Sequence, residues 1–395
     1  MAGLHDSASN GWLALHPSDL FPTLQLAAIE RAAAQAWEVG RKAAMIAIVA
    51  PELDDKIFFS TRVDGAAQIA AELTSAIVGS VDVDVNSRAG EQSAPSCDGA
   101  EVFAQVLSEI ETLQASLAGL TADYPADEVI ESHHVARAKE LAAAELAALA
   151  GYTPAGALGE PGNVSVVTVE RINLPAVPGR ASCFEAVESV IDFSSGVSTG
   201  KFIELMEVEI PSLEVCARHL LVLDRAPLSQ ITDLARQCSD EGRHSQLLLN
   251  RRPIGPDRPD RSITVDHQLW YLVRDIPVGL AVVCHQRLGE VSGIGMLSQR
   301  AKASREAGDE ERAREWSAVL RDEIGHVMSG NKWGRRYAAE LGIPFTELIK
   351  RAQAWRAETG IGNDVVLPED VALLRLAGFP EGDLIDEERT ARESG

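Results

Sequence analysis

The chain has 395 residues, enough for two or three domains and more than one buried core. Hydrophobic residues make up 46% of it and charged residues 24%, and no run approaches the roughly 18 uninterrupted apolar residues of a membrane span. The formal net charge is −23 with no concentrated basic face, which argues against a nucleic-acid partner.

The cysteines and the first residues indicate a reducing compartment. The five cysteines are scattered, with no two at metal-ligand spacing, which is typical of free thiols. The opening residues lack the basic-then-apolar pattern of a secretion signal. We therefore expect a cytoplasmic protein with no membrane contact.

The first part of the chain is predicted to be helical. Aromatic residues are only 5% of the sequence and alanine is abundant, which favours long helices over a β-sandwich. A Gly- and Pro-rich stretch at 151–162 indicates a domain boundary. We predict an N-terminal helical domain over 1–160, with helices over 20–50, 53–80, 101–120 and 127–151.

An extended arm or linker is predicted over 161–195, because the run at 164–172 is rich in β-branched residues. A four-helix bundle is predicted over 196–358, followed by an acidic tail over 359–395. The Pro-rich segment 251–261 is too long for a tight hairpin and suits the long crossover of some four-helix bundles. The predicted fold class is all-α, with bundle helices over 198–223, 227–250, 264–304 and 310–341 and a further helix over 344–358.

Two Glu-x-x-His steps lie in the predicted bundle, Glu241/His244 and Glu323/His326. Residues three or four apart share a helix face, so each step presents a carboxylate and an imidazole together. Such a pair can bind one metal ion while its carboxylate bridges to a second. One step arises by chance in any large protein. Two steps on bundle helices, each preceded by aspartate, favour a metal site over a solvated face or a core histidine.

The neighbouring helices supply further carboxylates at the same height. Residues equidistant from the turn of an antiparallel helix pair face each other. Glu209 lies 16 residues before position 225 and Glu241 lies 16 beyond it. Glu290 lies 17 residues before position 307 and Glu323 lies 16 beyond it. Each helix pair therefore places a glutamate opposite a Glu-x-x-His step.

The first bundle helix allows two registers, because it carries Glu214 as well as Glu209. A kink at Pro211 could shift the helix, so Glu214 is an alternative to Glu209. With either residue the set is four carboxylates and two histidines, typical of dinuclear carboxylate proteins. These donors favour iron, with manganese as the alternative, over a thiolate-binding metal. The predicted ligands are Glu209, Glu241, His244, Glu290, Glu323 and His326.

Asp240 and Asp322 directly precede the two ligand glutamates. An aspartate in this setting can accept a hydrogen bond from the far nitrogen of a ligand histidine and so orient its ring. We expect this supporting role for both residues. The alternative is an ordinary exposed helix acid.

The residues around these ligands resemble a known family. The segments 240–244, 321–327 and 330–333 are similar to a bacterial di-iron carboxylate branch of the ferritin-like superfamily, a branch of unassigned function. More distantly, they resemble the di-iron hydroxylases that modify tRNA or the ubiquinone ring. The resemblance covers roughly 170–355 and implies a ferritin-like bundle with iron bound by the six predicted ligands. Val208 departs from it, because the family usually has histidine there.

A weak internal repeat relates the two halves. A shift of 176 residues aligns Asp64 with Asp240 without a gap over the preceding residues. In the first copy Gly65 and Gln68 stand where the second has its ligands. The hypothesis is that the N-terminal domain is a degenerate, metal-free bundle that serves as a scaffold or docking surface. The alternative is coincidence between Ala-rich helices.

These observations predict an O2-dependent non-haem di-iron oxidoreductase or oxygenase that acts on a small molecule in a biosynthetic pathway. The reaction would be hydroxylation, N-oxygenation or desaturation, with no catalytic residue beyond the metal ligands. O2 is the expected co-substrate, and electrons must come from an external donor because no flavin or nicotinamide fingerprint is visible. The sequence is compatible with a homodimer. The alternatives are an iron-storage or peroxide-detoxifying protein and a non-catalytic helical interaction protein.

Overall fold

Helices dominate the computed structural model of the protein. The structure describes residues 23–78, 98–121, 129–155, 158, 166–169, 172–175, 178, 184–187, 203–223, 226–250, 263–266, 268–360 and 371–380. Within these residues the chain is predominantly α-helical, with two short two-stranded β-ladders. The predicted all-helical class is therefore confirmed at this level.

The first four helices match the prediction to within three residues at each end. α1 packs against α2 and α3, and α4 packs against α2 and α3, so the four form a bundle of their own. Small residues along α1 and α2, such as Ala36, Ala43 and Ala66, are fully buried and let these helices approach closely. The bounds are Thr23–Val49 for α1, Leu53–Val78 for α2, Gly99–Thr121 for α3 and Val129–Ala150 for α4.

Short strands lie between the helical regions. β1 (Val166–Val169) pairs antiparallel with β2 (Ile172–Pro175), within the segment predicted to be extended. β3 (Phe184–Val187) pairs in parallel with β4 (Ile263–Asp266). The prediction that a helix begins at 264 is therefore wrong, because the β-branched run at 263–265 joins a ladder instead.

The second helical region begins with α5 (Ile203–Val222) and α6 (Leu228–Asn250), which pack along each other. The predicted crossover over 251–261 lies outside the described residues. Later in the chain α9 (Glu290–Glu306) and α10 (Glu310–Glu340) form a second antiparallel pair. At their turn Gly308 has a φ of +77°, and the Asp309 side chain accepts a hydrogen bond from the Arg312 backbone N–H (3.0 Å), capping α10.

The third bundle helix is interrupted rather than continuous. It comprises α7 (Gln268–Arg274), α8 (Val278–Val282), a π-helical segment (Val283–Arg287) and then α9. Pro277 lies at the break between α7 and α8, where a helix is expected to end or kink. The π-helical segment lies directly before the ligand-bearing start of α9.

Two further helices pack outside the bundle. α11 (Phe345–Glu358) lies against the π segment and α10, and α12 (Val371–Leu376) lies against α10. α12 falls within the tail predicted over 359–395. The loop after it is held by Asn331, whose side-chain N–H donates to the Ala377 carbonyl (2.9 Å), and by the Arg287 guanidinium over the Phe379 ring.

One continuous hydrophobic core runs through both helical regions. It includes Trp37 and Ile69 from the first region and Leu220, Leu234 and Trp270 from the second, all nearly or fully buried. Among the described residues, no helix is both long and apolar enough to cross a membrane.

Candidate dinuclear metal site

The six predicted ligands converge in the interior of the second helical region. Each is buried, with no more than 7% of its surface exposed. α5 contributes one of them, α6 two, α9 one and α10 two. They are Glu209, Glu241, His244, Glu290, Glu323 and His326.

The candidate ligands form two overlapping groups. Glu209 and His244 belong to the first group, and Glu290 and His326 belong to the second. Glu241 and Glu323 belong to both. Within each group one ligand atom from every residue lies within 4.8 Å of the others. We call Glu241 and Glu323 the shared ligands, and the ligands that belong to one group the terminal ligands. Two shared carboxylates with terminal ligands on either side could hold a pair of metal ions.

Each Glu-x-x-His step places its glutamate and its histidine side by side on one face of the helix, as helix geometry predicts. His326 Nδ1 lies 3.1 Å from Glu323 Oε2 on its own helix and 3.3 Å from Glu241 Oε1 on α6. His244 Nδ1 lies 3.5 Å from Glu241 Oε2 and 3.4 Å from Glu323 Oε1. Each histidine thus turns its Nδ1 atom toward both shared carboxylates.

The buried carboxylates of the site repel one another, so positive charge would stabilise them. Burial raises the pKa of Glu241 well above its usual range, and repulsion from Glu290 and Glu323 adds to this. Burial, with repulsion from Glu290, also raises the pKa of Glu323. One carboxylate oxygen of Glu241, Oε2, is buried, and the polar contact that the structure gives it is a long one, to His244 Nδ1 at 3.5 Å. Divalent cations would supply both the charge and a closer contact for this oxygen, so the donor set fits a metal pair.

The two histidines have raised pKa values in the metal-free site. Burial acts to lower the pKa of His244, but hydrogen bonds to Asp322, Glu209, Glu241 and Glu323 outweigh it and hold the pKa well above its usual value. The pKa of His326 is raised similarly, against burial, by the carboxylates around it. Metal binding at these nitrogens would therefore displace protons.

Asp240 and Asp322 each lie close to the far nitrogen of a ligand histidine, as predicted. The arrangement is crossed, because each aspartate faces the histidine of the other helix. Asp322 on α10 lies 3.2 Å from Nε2 of His244 on α6. Asp240 on α6 lies 3.5 Å from Nε2 of His326 on α10. Each aspartate thus faces the histidine of the other helix and leaves the Nδ1 atom of that ring directed at the carboxylates.

Arg243 joins the two aspartates. Its guanidinium donates to Asp322 Oδ2 (3.0 Å) and to Asp240 Oδ1. Burial acts to raise the pKa of Asp322, but hydrogen bonds from His244 and Arg243 outweigh it and lower the pKa to about 2. Burial acts to raise the pKa of Asp240 as well, but the hydrogen bond and the attraction from His326 outweigh it and lower the pKa. Both aspartates are therefore charged acceptors at neutral pH.

The structure separates Glu209 from its alternative. Glu209 Oε2 lies 3.3 Å from His244 Nδ1 inside the first group. Glu214 is fully buried elsewhere, with Oε1 2.9 Å from Lys56 Nζ of α2. Lys56 also donates to two backbone carbonyls at the end of α1. The charge of Glu214 is thus balanced by lysine, and Glu214 belongs to neither group.

Two polar residues at the site were missed in the sequence. The Gln237 side-chain amide donates to Glu241 Oε1 (3.2 Å) and to Glu290 Oε1 (3.3 Å). His285 Nε2 lies 2.8 Å from Glu290 Oε1. Gln237 precedes Glu241 by four residues, a spacing that places it on the ligand face. No such spacing points to His285, because it lies five residues before Glu290 and a regular helix would place the two on different faces.

Comparison with protein-family models, with curated protein sequences and with solved structures finds no match for this chain.

Proposed function

We propose that this chain is an O2-dependent non-haem di-iron oxidoreductase, an oxygenase or oxidase for a small-molecule substrate, built on a ferritin-like four-helix bundle. The observation that supports this most is the pair of ligand groups that share Glu241 and Glu323. Dinuclear carboxylate proteins use four carboxylates and two histidines from four helices in this way.

The donor set favours iron, with manganese as the alternative. All candidate ligand atoms are carboxylate oxygens or imidazole nitrogens. These donors suit Fe(II) or Mn(II) better than a metal that prefers thiolate. Held by these six residues, two ferrous ions would supply the electron pair for the reduction of O2 and the oxidising power for hydroxylation, N-oxygenation or desaturation. An external donor would return the electrons.

The chain's own residues would hold, orient and isolate this centre. The crossed aspartates fix the histidine rings, and the shared glutamates hold the two positions together. Apolar side chains lie within two helical turns of the ligands, on the same helices, and would limit water access. The cluster that they form includes Ile210, Leu248, Leu297, Trp316 and Val319.

We also propose that residues 196–358 form the metal-binding bundle and residues 1–160 a degenerate, metal-free copy of it. Glu145 of α4 occupies the space beside Gly65, at the position where the second copy has Glu241. Arg62 forms an ion pair with this carboxylate (3.3 Å). An internal ion pair in place of metal ligands suits a scaffold.

Anaerobic reconstitution with Fe(II), followed by exposure to O2, tests the proposed function. We expect two iron ions per chain and rapid oxidation of both by O2, seen by Mössbauer and optical spectroscopy. Accumulation of many iron atoms per chain would instead support storage. A chain that binds no metal would support the non-catalytic interaction protein and contradict the proposal.

A further inference from the structure

His285 contacts a candidate metal ligand from a position that a regular helix does not allow. Its Nε2 atom lies 2.8 Å from Glu290 Oε1. In an α-helix, residues five apart point in directions roughly 140° apart. Here the π-helical segment Val283–Arg287 precedes Glu290, and the Leu288 N–H bonds to the Val283 carbonyl, five residues back (3.0 Å). The altered winding brings both side chains to one face.

The surroundings of His285 fix its ring. It is almost fully buried, and Nε2 also lies 3.2 Å from the Ser212 hydroxyl of α5. The ring of His219 packs against it edge-on, with centroids 5.8 Å apart. Because Nε2 faces a carboxylate, the tautomer that fits carries its hydrogen on Nε2 and donates it to Glu290.

A second donor reaches the same oxygen. Gln237 of α6 donates to Glu290 Oε1 (3.3 Å), and Gln237 is itself held by a hydrogen bond from the Gln286 side chain. Glu290 Oε1 therefore receives protein donors from α6 and from the π segment. Neither of these two donors reaches the other oxygen, Oε2, which would then remain to bind a metal ion.

We infer that His285 is a positioning residue that holds Glu290 as a one-oxygen ligand to the metal ion of the second group, the group that contains His326. This inference rests on the proposed dinuclear centre. The same contact gives the π segment a role, since such segments are rare and are frequent at functional sites. A regular helix would turn His285 away and leave Glu290 without the shorter of these two contacts.

The experiment is anaerobic titration with Co(II), which reports the number, affinity and coordination of bound ions by absorption spectroscopy. We expect the wild-type chain to bind two ions. H285L should bind one of them ~10–100-fold more weakly and change its spectrum, while the other ion is unaffected. H285Q should recover most of the affinity, because a glutamine amide reaches about where Nε2 lies.

Gln230 provides the control. It is as buried as His285, and its side-chain amide donates to the Tyr337 hydroxyl (2.8 Å) rather than to a candidate ligand or to His285. Q230L should retain both affinities. Should H285L not fold, H285N replaces it, since asparagine places its amide near Nδ1 instead of Nε2.

Two results would overturn the role of His285 and leave the dinuclear centre in place. One is that H285L binds both ions as tightly as the wild-type chain. The other is that H285Q and Q230L lose as much affinity as H285L, which would indicate a packing role. A wild-type chain that binds neither Co(II) nor Fe(II) would overturn the dinuclear centre itself.

Discussion

Glu241 and Glu323 are the two residues common to both ligand groups, whereas Glu209 and Glu290 each belong to one. Loss of a shared carboxylate should therefore weaken both metal positions, and loss of a terminal one should weaken a single position. We expect E323Q to bind fewer than one Fe(II) per chain under conditions where E209Q still binds about one. Anaerobic metal titration with elemental analysis measures this.

The control for this pair is E340Q, on the same helix as Glu323 but half exposed and paired with Arg336. It should bind two ions like the wild-type chain. Equal losses in E323Q and E209Q would contradict the assignment of shared and terminal ligands.

Arg243 is the one guanidinium that contacts both supporting aspartates in the described part of the site. Replacing it with leucine removes two charge-assisted hydrogen bonds and leaves Asp240 and Asp322 freer to rotate. We expect R243L to weaken metal binding ~10-fold or more, at both positions, because each aspartate orients one histidine. Its effect on the thermal unfolding of the metal-free chain should be small, since the side chain is half exposed.

Arg236 offers a matched comparison for R243L. It lies on the same helix, is 77% exposed, and approaches Asp240 only to 4.0 Å. R236L should bind metal as the wild-type chain does. If both variants bind metal normally, the aspartates do not need Arg243 to hold the histidines.

At the scale of the elements, α2 and α4 meet at a buried carboxylate, Glu145. Burial raises its pKa to about 7, repulsion from Asp64 adds to this, and Arg62 opposes it. The ordinary value of 4.5 applies when the chain is unfolded. Between these values the folded chain binds more protons, so Glu145 makes the free energy of unfolding fall as pH rises from about 4.5 through 7.

The E145Q variant tests this. Glutamine cannot ionise, so the free energy of unfolding of E145Q, relative to wild type, should rise between pH 4.5 and pH 8. The upper limit for the change is about 3 kcal/mol. Urea unfolding at several pH values measures it. A difference between the two proteins that stays constant across this range would show that Glu145 keeps an ordinary pKa when folded.

The helices and the ligand positions were predictable because both depend on local periodicity. Glu-x-x-His spacing defines a helix face, and distance from a turn defines height in an antiparallel pair, so the approach of Glu209, Glu241, Glu290 and Glu323 followed from the sequence. The π segment did not, since an i to i−5 hydrogen bond leaves no residue signature. His285 was missed for this reason.

Contacts between elements far apart in the chain could not be predicted from the sequence either. Glu214 has the same residue type and helix as Glu209, and only the position of Lys56, 158 residues earlier, distinguishes them. Parallel pairing of β4 with β3 likewise depends on a segment far away in the chain. Local periodicity carries no information about either partner.

For the whole molecule, the two helical regions are packed in corresponding ways. α1 and α2 form a pair as α5 and α6 do, and α2 packs along α6 while α1 packs along α5. Asp64 and Asp240, equivalent under the 176-residue shift, approach each other across this contact, so that repulsion from Asp240 adds to burial in raising the pKa of Asp64. This packing of corresponding helices supports the proposal of a duplicated bundle.

The same contact joins the two regions energetically. Lys56 of α2 and Glu214 of α5 form an ion pair with both side chains fully buried, within a core that runs through both regions. Removing only the lysine would leave a buried carboxylate without its partner, at a cost of about 3–5 kcal/mol. We expect K56M to lose roughly this much stability. The double variant K56M/E214L should recover most of it, because two apolar side chains would replace the pair.

Because the core is continuous, the loss in K56M should appear in the whole chain rather than in one region. Urea unfolding should remain a single transition, and hydrogen exchange should speed up in α1 and α2 and in α5 and α6 alike. Faster exchange confined to α1–α4, with unchanged protection around Glu241 and Glu323, would show instead that the metal-binding bundle is stable without its neighbour. In that case, residues 1–160 would not act as its scaffold.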